Sequence, residues 1–220
     1  MTPTVALALY AAPAALIAVA LAAHASPGPR PRTLLALARV VTLSVLVAAV
    51  AAAGLVFSLG PVTSALLGYH GIGLSLRLDA LSTALFVLVS FVGAVVVQFS
   101  RNYLDGDGRQ AAFVGGLCLA LAAVTLLALA GNLLQLVAGW IATSLALHRL
   151  LVFYPERPRA INAARKKYLT ARLGDACLVI AAVLLYGSFR TADIAAILHA
   201  AATTEAASTA TGVAAGLIAV

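Results

Sequence analysis

Six times along this chain of 220 residues, a run of about twenty or more mainly apolar residues appears with few charges inside it. At 1.5 Å rise per residue, each run is long enough as a helix to cross the ~30 Å hydrocarbon core of a bilayer. The runs fall near 4–25, 33–59, 78–99, 111–130, 132–153 and 166–187, and an apolar stretch from about 209 is still running at Val220. They are continuous and rich in Ala and Leu rather than alternating at period two, which predicts spanning helices and not barrel strands. Charged residues make up only 10% of the chain, against roughly 25% in soluble domains. So little charge cannot coat a water-facing surface, which excludes a soluble enzyme, a disordered chain and a secreted disulfide scaffold. The expected fold is all-α: a polytopic integral membrane helix bundle of about six spans plus a partial seventh. Residues 1–220 then form a single transmembrane domain, in a multi-pass protein of the cell (inner) membrane.

The few cations assign sidedness. The connection after the first run holds Arg30 and Arg32, that after the third Arg101 and Arg109, and that after the fifth Arg157, Arg159, Arg165, Lys166 and Lys167. The opposite connections hold only Arg77 and Arg190. Nine against two is a positive-inside bias, so odd-numbered helices run inward and the N-terminus lies outside. The formal charge of +7 is therefore a topology signal and not a phosphate-binding face, and no nucleic-acid partner is expected. Ala23-His24-Ala25 imitates a leader-peptide cleavage site, yet no Lys or Arg precedes Arg30. A leader needs a positive start, so the first run is read as a span.

Ionisable groups inside the runs are the informative residues, because each is expensive in a bilayer unless paired or hydrated. Arg172 and Asp175 stand one to two turns into the sixth run at i, i+3, a spacing that puts them on one helix face. They form either a proton- or ion-handling pair at the inner mouth of a channel or a structural pair that orients the helix. His148 could serve a relay or an interfacial hydrogen bond; Arg149 beside it can snorkel to headgroups. Asp79, after Arg77, reads as the N-cap of the third helix. Gln135, Thr143 and Ser144 add hydrogen-bonding groups to helix five. Trp140 lies deeper than an aromatic belt, which predicts packing between helices.

The most concentrated polar feature is the inner connection Tyr154-Pro-Glu-Arg-Pro158 with Arg159 and Arg165-Lys-Lys167. It serves topology and lipid contact or, alternatively, docks an acidic partner surface. Tyr103-Leu-Asp-Gly-Asp-Gly108 lacks the ligand ladder and closing Glu of a calcium loop and reads as a glycine-rich turn. Cys118 and Cys177 sit alone in apolar runs and read as small hydrophobes. Phosphate-loop, His-Glu-x-x-His and Gly-x-Ser-x-Gly motifs are absent from the sequence, so no catalytic residue is assigned. Physics alone reaches a polytopic transporter or channel subunit.

Five segments carry a resemblance further. Leu76-Arg-Leu-Asp-Ala-Leu-Ser82, Phe99-Ser-Arg-Asn-Tyr-Leu104, Gly131-Asn-Leu-Leu134, Gly139-Trp140 and Thr170-Ala-Arg-Leu-Gly-Asp175 stand in the order and spacing of a known family. The stretch 73–196 resembles the proton-translocating antiporter-like subunits of respiratory complex I and of Mrp-type cation/proton antiporters. In those subunits the helix-five tryptophan is followed by a glutamate of the proton path. Here Trp140 is followed by Ile141, which cannot carry a proton. Gly139-Trp-Ile-Ala-Thr-Ser-Leu-Ala-Leu-His148, Phe153-Tyr-Pro-Glu-Arg-Pro158 and Ala164-Arg-Lys-Lys-Tyr168 resemble instead the inorganic-carbon (DAB) branch of the family.

That resemblance implies a membrane subunit that draws on a proton or other cation gradient, with Gln135, His148, Arg172 and Asp175 as ion-path candidates. It further implies a peripheral cytoplasmic partner related to zinc carbonic anhydrases, which hydrates CO2 to bicarbonate. Tyr154, Glu156, Arg157, Arg159, Arg165, Lys166 and Lys167 become candidates for docking it. The zinc belongs to the partner, and no cofactor is expected in this chain. Family members continue through further helices, including a lysine in the seventh, so this chain is expected to be the N-terminal portion of such a subunit and not to complete a proton path alone. Two other readings stay open: a proton-pumping subunit of a complex I-like or Mrp-type assembly, and a membrane scaffold that no longer conducts.

Overall fold

A computed structural model describes residues 8–25, 31–69, 72–154, 156, 158–203 and 209–219. Eight helices carry the described chain: α1 (Ala11–Ala25), α2 (Arg32–Leu59), α3 (Ala80–Tyr103), α4 (Gln110–Ala128), α5 (Leu133–Leu151), α6 (Pro158–Phe189), α7 (Ile194–Thr203) and α8 (Thr209–Ile218). Helices α2 to α6 are long and apolar enough to cross a membrane; α1 is a shorter apolar helix of 15 residues. The expected first span begins at 4, and its opening lies outside the described residues. Together these elements form an all-α membrane bundle.

The core sits where α1, α2, α3 and α4 meet. On α2 it is a stripe of Ala38, Val45, Ala49 and Ala52, which meets Leu16 and Val19 of α1, Phe86 and Val97 of α3, and Val114 and Ala122 of α4. Hydrocarbon solvent gives apolar side chains little reason to cluster, so association depends on close packing of small residues. Gly115 shows how close: a Cβ there would lie 2.5 Å from the Cβ of Ala23, so α1 and α4 touch only because the side chain is missing. Cys118 packs in this core as an unpaired thiol, and Cys177 is half-buried and also free.

Outside the spans the chain makes short antiparallel strands that the sequence reading did not anticipate. β1 (Val62–Thr63) pairs with β4 (Arg77–Leu78), and β2 (Leu67–Tyr69) pairs with β3 (Ile72–Leu74). Strands of two or three residues show no readable periodicity in the sequence. They serve to carry backbone groups across the bundle end. Arg77 donates its N–H to the Leu129 carbonyl (3.1 Å), Gly131 to Ser75 (2.7 Å), Leu133 to Ala192 (2.8 Å) and Ile194 to Gly131 (3.0 Å). The connections α2–α3, α4–α5 and α6–α7 are thereby knitted into one layer.

Asp79 leaves this layer as the N-cap of α3, as expected. Its carboxylate accepts from the Ser82 N–H (2.8 Å), Ser82 Oγ accepts from the Asp79 N–H (2.7 Å), and Arg77 Nε lies 2.9 Å from the other carboxylate oxygen. Partial burial pushes the carboxyl up, but the Ser82 bonds and the Arg77 guanidinium outweigh it and hold the group below the usual carboxylate range.

Two boundaries differ from expectation. α6 begins at Pro158 rather than near 166, because proline suits the first turn of a helix, where no intrahelical donor is needed. The cations at Arg159 and 165–167 are thus helical and not loop residues. The stretch 188–208, between the sixth expected span and the apolar stretch from about 209, contains α7; its apolar residues Ile194, Ala195, Ile197 and Leu198 lie in a helix too short to register as a span.

A candidate ion-handling site between helices five and six

Helix α5 is anchored at its start by Asn132, whose side chain accepts from the Leu134 N–H (3.0 Å). Gln135, one turn on, is almost fully buried. Its Oε1 accepts from Tyr10 Oη (2.9 Å) and from the Ser75 N–H (3.1 Å), while Nε2 donates to the Leu126 carbonyl (3.0 Å). One amide thus ties the start of α1, the strand layer, α4 and α5 together. Farther along, Gly139 lies flat on α4, where a Cβ would come within 3.0 Å of Leu127 Cα.

Three other ion-path candidates meet farther down the α5–α6 seam. Arg172 Nη2 pairs with Asp175 Oδ2 at 2.7 Å and donates to Ser144 Oγ of α5 at 3.2 Å. The Arg172 guanidinium also lies 5.0 Å from the centre of the Tyr168 ring, one turn earlier on α6. Tyr168 also neighbours His148, with ring centroids 4.8 Å apart and planes inclined by 45°. His148, Tyr168, Arg172 and Asp175 form a continuous polar chain, with Ser144 alongside. Gln135 stands apart from it, at the knitted end of the bundle.

Burial makes this chain chemically unusual. The Asp175 side chain is 8% exposed and that of Arg172 30%. Apart from the Arg172 ion pair, neither Asp175 oxygen accepts a hydrogen bond, and Arg172 Nε and His148 Nδ1 are also buried without partners. Buried polar atoms normally have partners, so these lone pairs and donors are capacity left for a proton, a water or a small cation. Because α6 starts early, Arg172 lies 14 residues past its first residue (172 − 158), about four turns. The pair stands near mid-helix, deeper than the one to two turns expected.

The sequence reading missed Tyr168 as the link, although its i, i+4 spacing to Arg172 brings ring and guanidinium together on any helix. Trp140 also departs from expectation. It is 49% exposed and lines an open groove of about 570 Å³ with Thr143, Ser144, Lys167, Thr170 and Gly174, instead of packing between helices.

The docking candidates divide. Tyr154 Oη donates to Asp107 Oδ2 of the α3–α4 connection at 3.0 Å, and Glu156 pairs with Arg109. The Arg109 guanidinium also lies 5.6 Å from the centre of the Tyr154 ring. Glu156 raises the Arg109 guanidinium further above its ordinary range. Tyr154 and Glu156 therefore hold two connections of this chain to each other. Arg159, Arg165, Lys166 and Lys167 are exposed along the first turns of α6; Arg157 lies outside the described residues. Asp107 also accepts from the Arg109 N–H (2.8 Å), and Gly106 turns with φ of 86°, which makes 103–108 a turn closed by its own aspartate. Among the described residues no three His, Cys, Asp or Glu side chains gather as a metal site.

Long apolar helices joined by short connections, with charge gathered at one end and one buried ion pair, define a multi-pass integral membrane protein. Comparison narrows the class. Residues 130–220 match the transmembrane model of NADH:quinone oxidoreductase and Mrp antiporters, and residues 66–114 match the N-terminal model of complex I chain 5. Over these two stretches the chain is similar to antiporter-like, complex I-type membrane subunits. It is 42% identical over 132 residues to a probable inorganic carbon transporter subunit DabB2 of Halothiobacillus neapolitanus, covering 59% of this chain and 24% of the relative. It is 39% identical over 107 residues to the probable DabB subunit of Hydrogenovibrio crunogenus, covering 48% and 21%. NADH-quinone oxidoreductase subunit L of Mycobacterium tuberculosis is 34% identical over 122 residues, covering 56% and 19%. The chain thus spans about a quarter or less of the length of the curated relatives it matches. In fold it resembles a subunit of an archaeal membrane-bound sulfane sulfur reductase (TM-score 0.81, 19% identity, 99% of this chain and 43% of that one). It also resembles a chain of the Mrp complex of a Dietzia species (TM-score 0.73, 24% identity, 96% and 23%).

Proposed function

We propose that this chain forms part of the membrane subunit of an energy-coupled inorganic-carbon accumulation complex. In this reading it conducts protons or another cation and so drives a cytoplasmic, zinc-containing carbonic-anhydrase-like partner that turns CO2 into bicarbonate. The observation that carries ion handling is the buried Arg172–Asp175 pair, whose carboxylate has acceptor capacity that no donor uses. Protonating or hydrating Asp175 would loosen its hold on Arg172, which already has Ser144 and the Tyr168 ring as alternative contacts. His148, beside Tyr168, would extend the route towards the cation-rich end. Gln135, with its amide oxygen accepting twice and its NH2 donating to Leu126, has a positioning role and holds α5 in register with the strand layer.

The carbon branch is supported by the two DabB relatives and by Ile141, which stands where the complex I and Mrp pattern has a carboxylate. Arg159, Arg165, Lys166 and Lys167 present the cationic surface to an acidic partner, with Arg157 as a further candidate. The zinc chemistry resides in that partner. A proton-translocating role in a complex I-like or Mrp-type assembly is the second reading, favoured by the subunit L relative. The full-length protein, expressed with its zinc partner, should restore growth in air to a bacterium lacking carbonic anhydrase. Asp175→Asn and Arg172→Ala should each abolish the rescue while leaving the complex assembled. Undiminished rescue by both variants would refute the role given to the pair. Co-purification with quinone-reducing or antiporter subunits in place of a zinc protein would favour the second reading.

A further inference from the structure

Arg39 is the other arginine set well inside a span. It lies seven residues past Arg32 (39 − 32), about 10 Å along α2, and it is exposed on the lateral face. Among the described residues no side chain partners its guanidinium. A membrane arginine without a carboxylate is costly and is normally paired or hydrated.

Its surroundings specify what would pair it. Between α2 and α3 runs an open groove of about 370 Å³ whose polar residues include Arg39, Thr42 and Gln98, with Leu43, Leu46, Phe91 and Val95 continuing it towards mid-span. Gln98 Oε1 accepts from Arg101 Nη1 at 3.4 Å; since arginine only donates, this contact turns the Gln98 NH2 away from Arg101 as a free donor. The Thr42 hydroxyl is already donated to the Ala38 and Arg39 carbonyls. The charged and amide groups of the groove head are therefore donors, and its body is apolar. An anion at one end and a hydrocarbon chain along the rest is the chemistry of an anionic phospholipid.

We propose that this groove is a binding site for an anionic phospholipid, with the headgroup phosphate between Arg39 and Gln98 and an acyl chain along Leu43, Leu46, Phe91 and Val95. The helix ends agree with the depth required. Arg32 and Tyr103 lie at the cation-rich end, so Arg39 and Gln98 sit one to two turns below it, within reach of a headgroup for a long snorkelling side chain. The inference is independent of which cation the protein conducts.

The test uses the full-length protein purified from vesicles of phosphatidylglycerol and phosphatidylcholine, with bound lipid counted by native mass spectrometry. Wild type should retain one phosphatidylglycerol more firmly than Arg39→Leu, with retention falling about fivefold in the variant, the expected loss for one basic side chain near an anionic surface. Arg39→Lys keeps the charge and should retain most of the lipid, which separates loss of the site from loss of the fold. Phosphatidylcholine retention should be the same in all three proteins. Equal phosphatidylglycerol retention by wild type and Arg39→Leu would overturn the proposal. Release of a protein subunit by Arg39→Leu with no change in bound lipid would also overturn it, showing that the donors face a protein carboxylate instead.

Discussion

The two ends of this bundle are held by different chemistry. At the knitted end, backbone groups of three connections bond directly to one another, and the buried Gln135 amide joins α1, the strand layer and α4. At the cation-rich end, among the described residues, side chains join the α3–α4 and α5–α6 connections: Tyr154 on Asp107, Glu156 with Arg109, and Phe153 edge-on to Phe113 at 5.3 Å. Buried hydrogen bonds are costly to lose and indifferent to salt, whereas exposed ion pairs are weak and screened. The difference teaches that one end is built to be fixed. The other can rearrange at little cost, as the face that carries the free cations would need to do if a partner engages it.

Four substitutions test that contrast. The largest effect should come from Gln135→Leu, which fills similar space but strands the Ser75 N–H, the Leu126 carbonyl and the Tyr10 hydroxyl. Stability should fall by about 3 kcal/mol, one buried polar group accounting for 1–3, seen as a lower unfolding midpoint in an SDS titration; an unchanged midpoint would break the comparison. Gly131→Ala should follow at about 2 kcal/mol, because its Cβ would stand 2.8 Å from Ser75 Oγ and 2.9 Å from the Ser75 carbonyl oxygen. The same titration checks it.

Asp79→Ala removes the α3 cap and should cost about 1 kcal/mol. Because the folded carboxyl is held below its usual range, its contribution is present above the unfolded pKa and disappears as pH falls through the folded one. Protection of the amides at 80–83, measured against their intrinsic exchange rate at each pH, should therefore fall in acid for wild type and be low at every pH for the variant. The smallest effect belongs to Glu156→Gln at the opposite end. Its unfolding midpoint should match wild type, and raising salt in wild type should mimic it in a spin-label distance between the α3–α4 and α5–α6 connections. A large loss of stability there would show that the side-chain end is as rigid as the knitted one.

Much of the helical layout was legible because a bilayer imposes a length and a composition that a linear scan can find. Asp79 as a cap and 103–108 as a turn were legible as well, since both depend on neighbours within a few residues. What escaped the scan depends on non-local partners or on competing signals. The strands in 62–78 are too short to have a period. The cations of 159–167 look like a loop until Pro158 is recognised as a helix start. Trp140 was expected to be packed by neighbours, yet it faces an open groove. Of the candidate site, Arg172 and Asp175 were readable as a pair from their spacing, and Tyr168 could have been added on the same rule. The Ser144 contact and the ring contact of His148 with Tyr168 could not.

The sequence by itself determined that this is a multi-span membrane bundle with its cations gathered at one end, because hydrocarbon tolerates neither exposed backbone nor unpaired charge. Only the tertiary structure decided which polar residues meet. It separated Gln135, a well-bonded tie at one end, from Asp175, an under-served carboxylate near the middle of α6. It gave the Arg172 guanidinium three contacts and that of Arg39 no side-chain partner among the described residues. The physical reason is that spacing along one helix fixes which residues share a face, while the neighbour on that face is set by how helices distant in sequence pack.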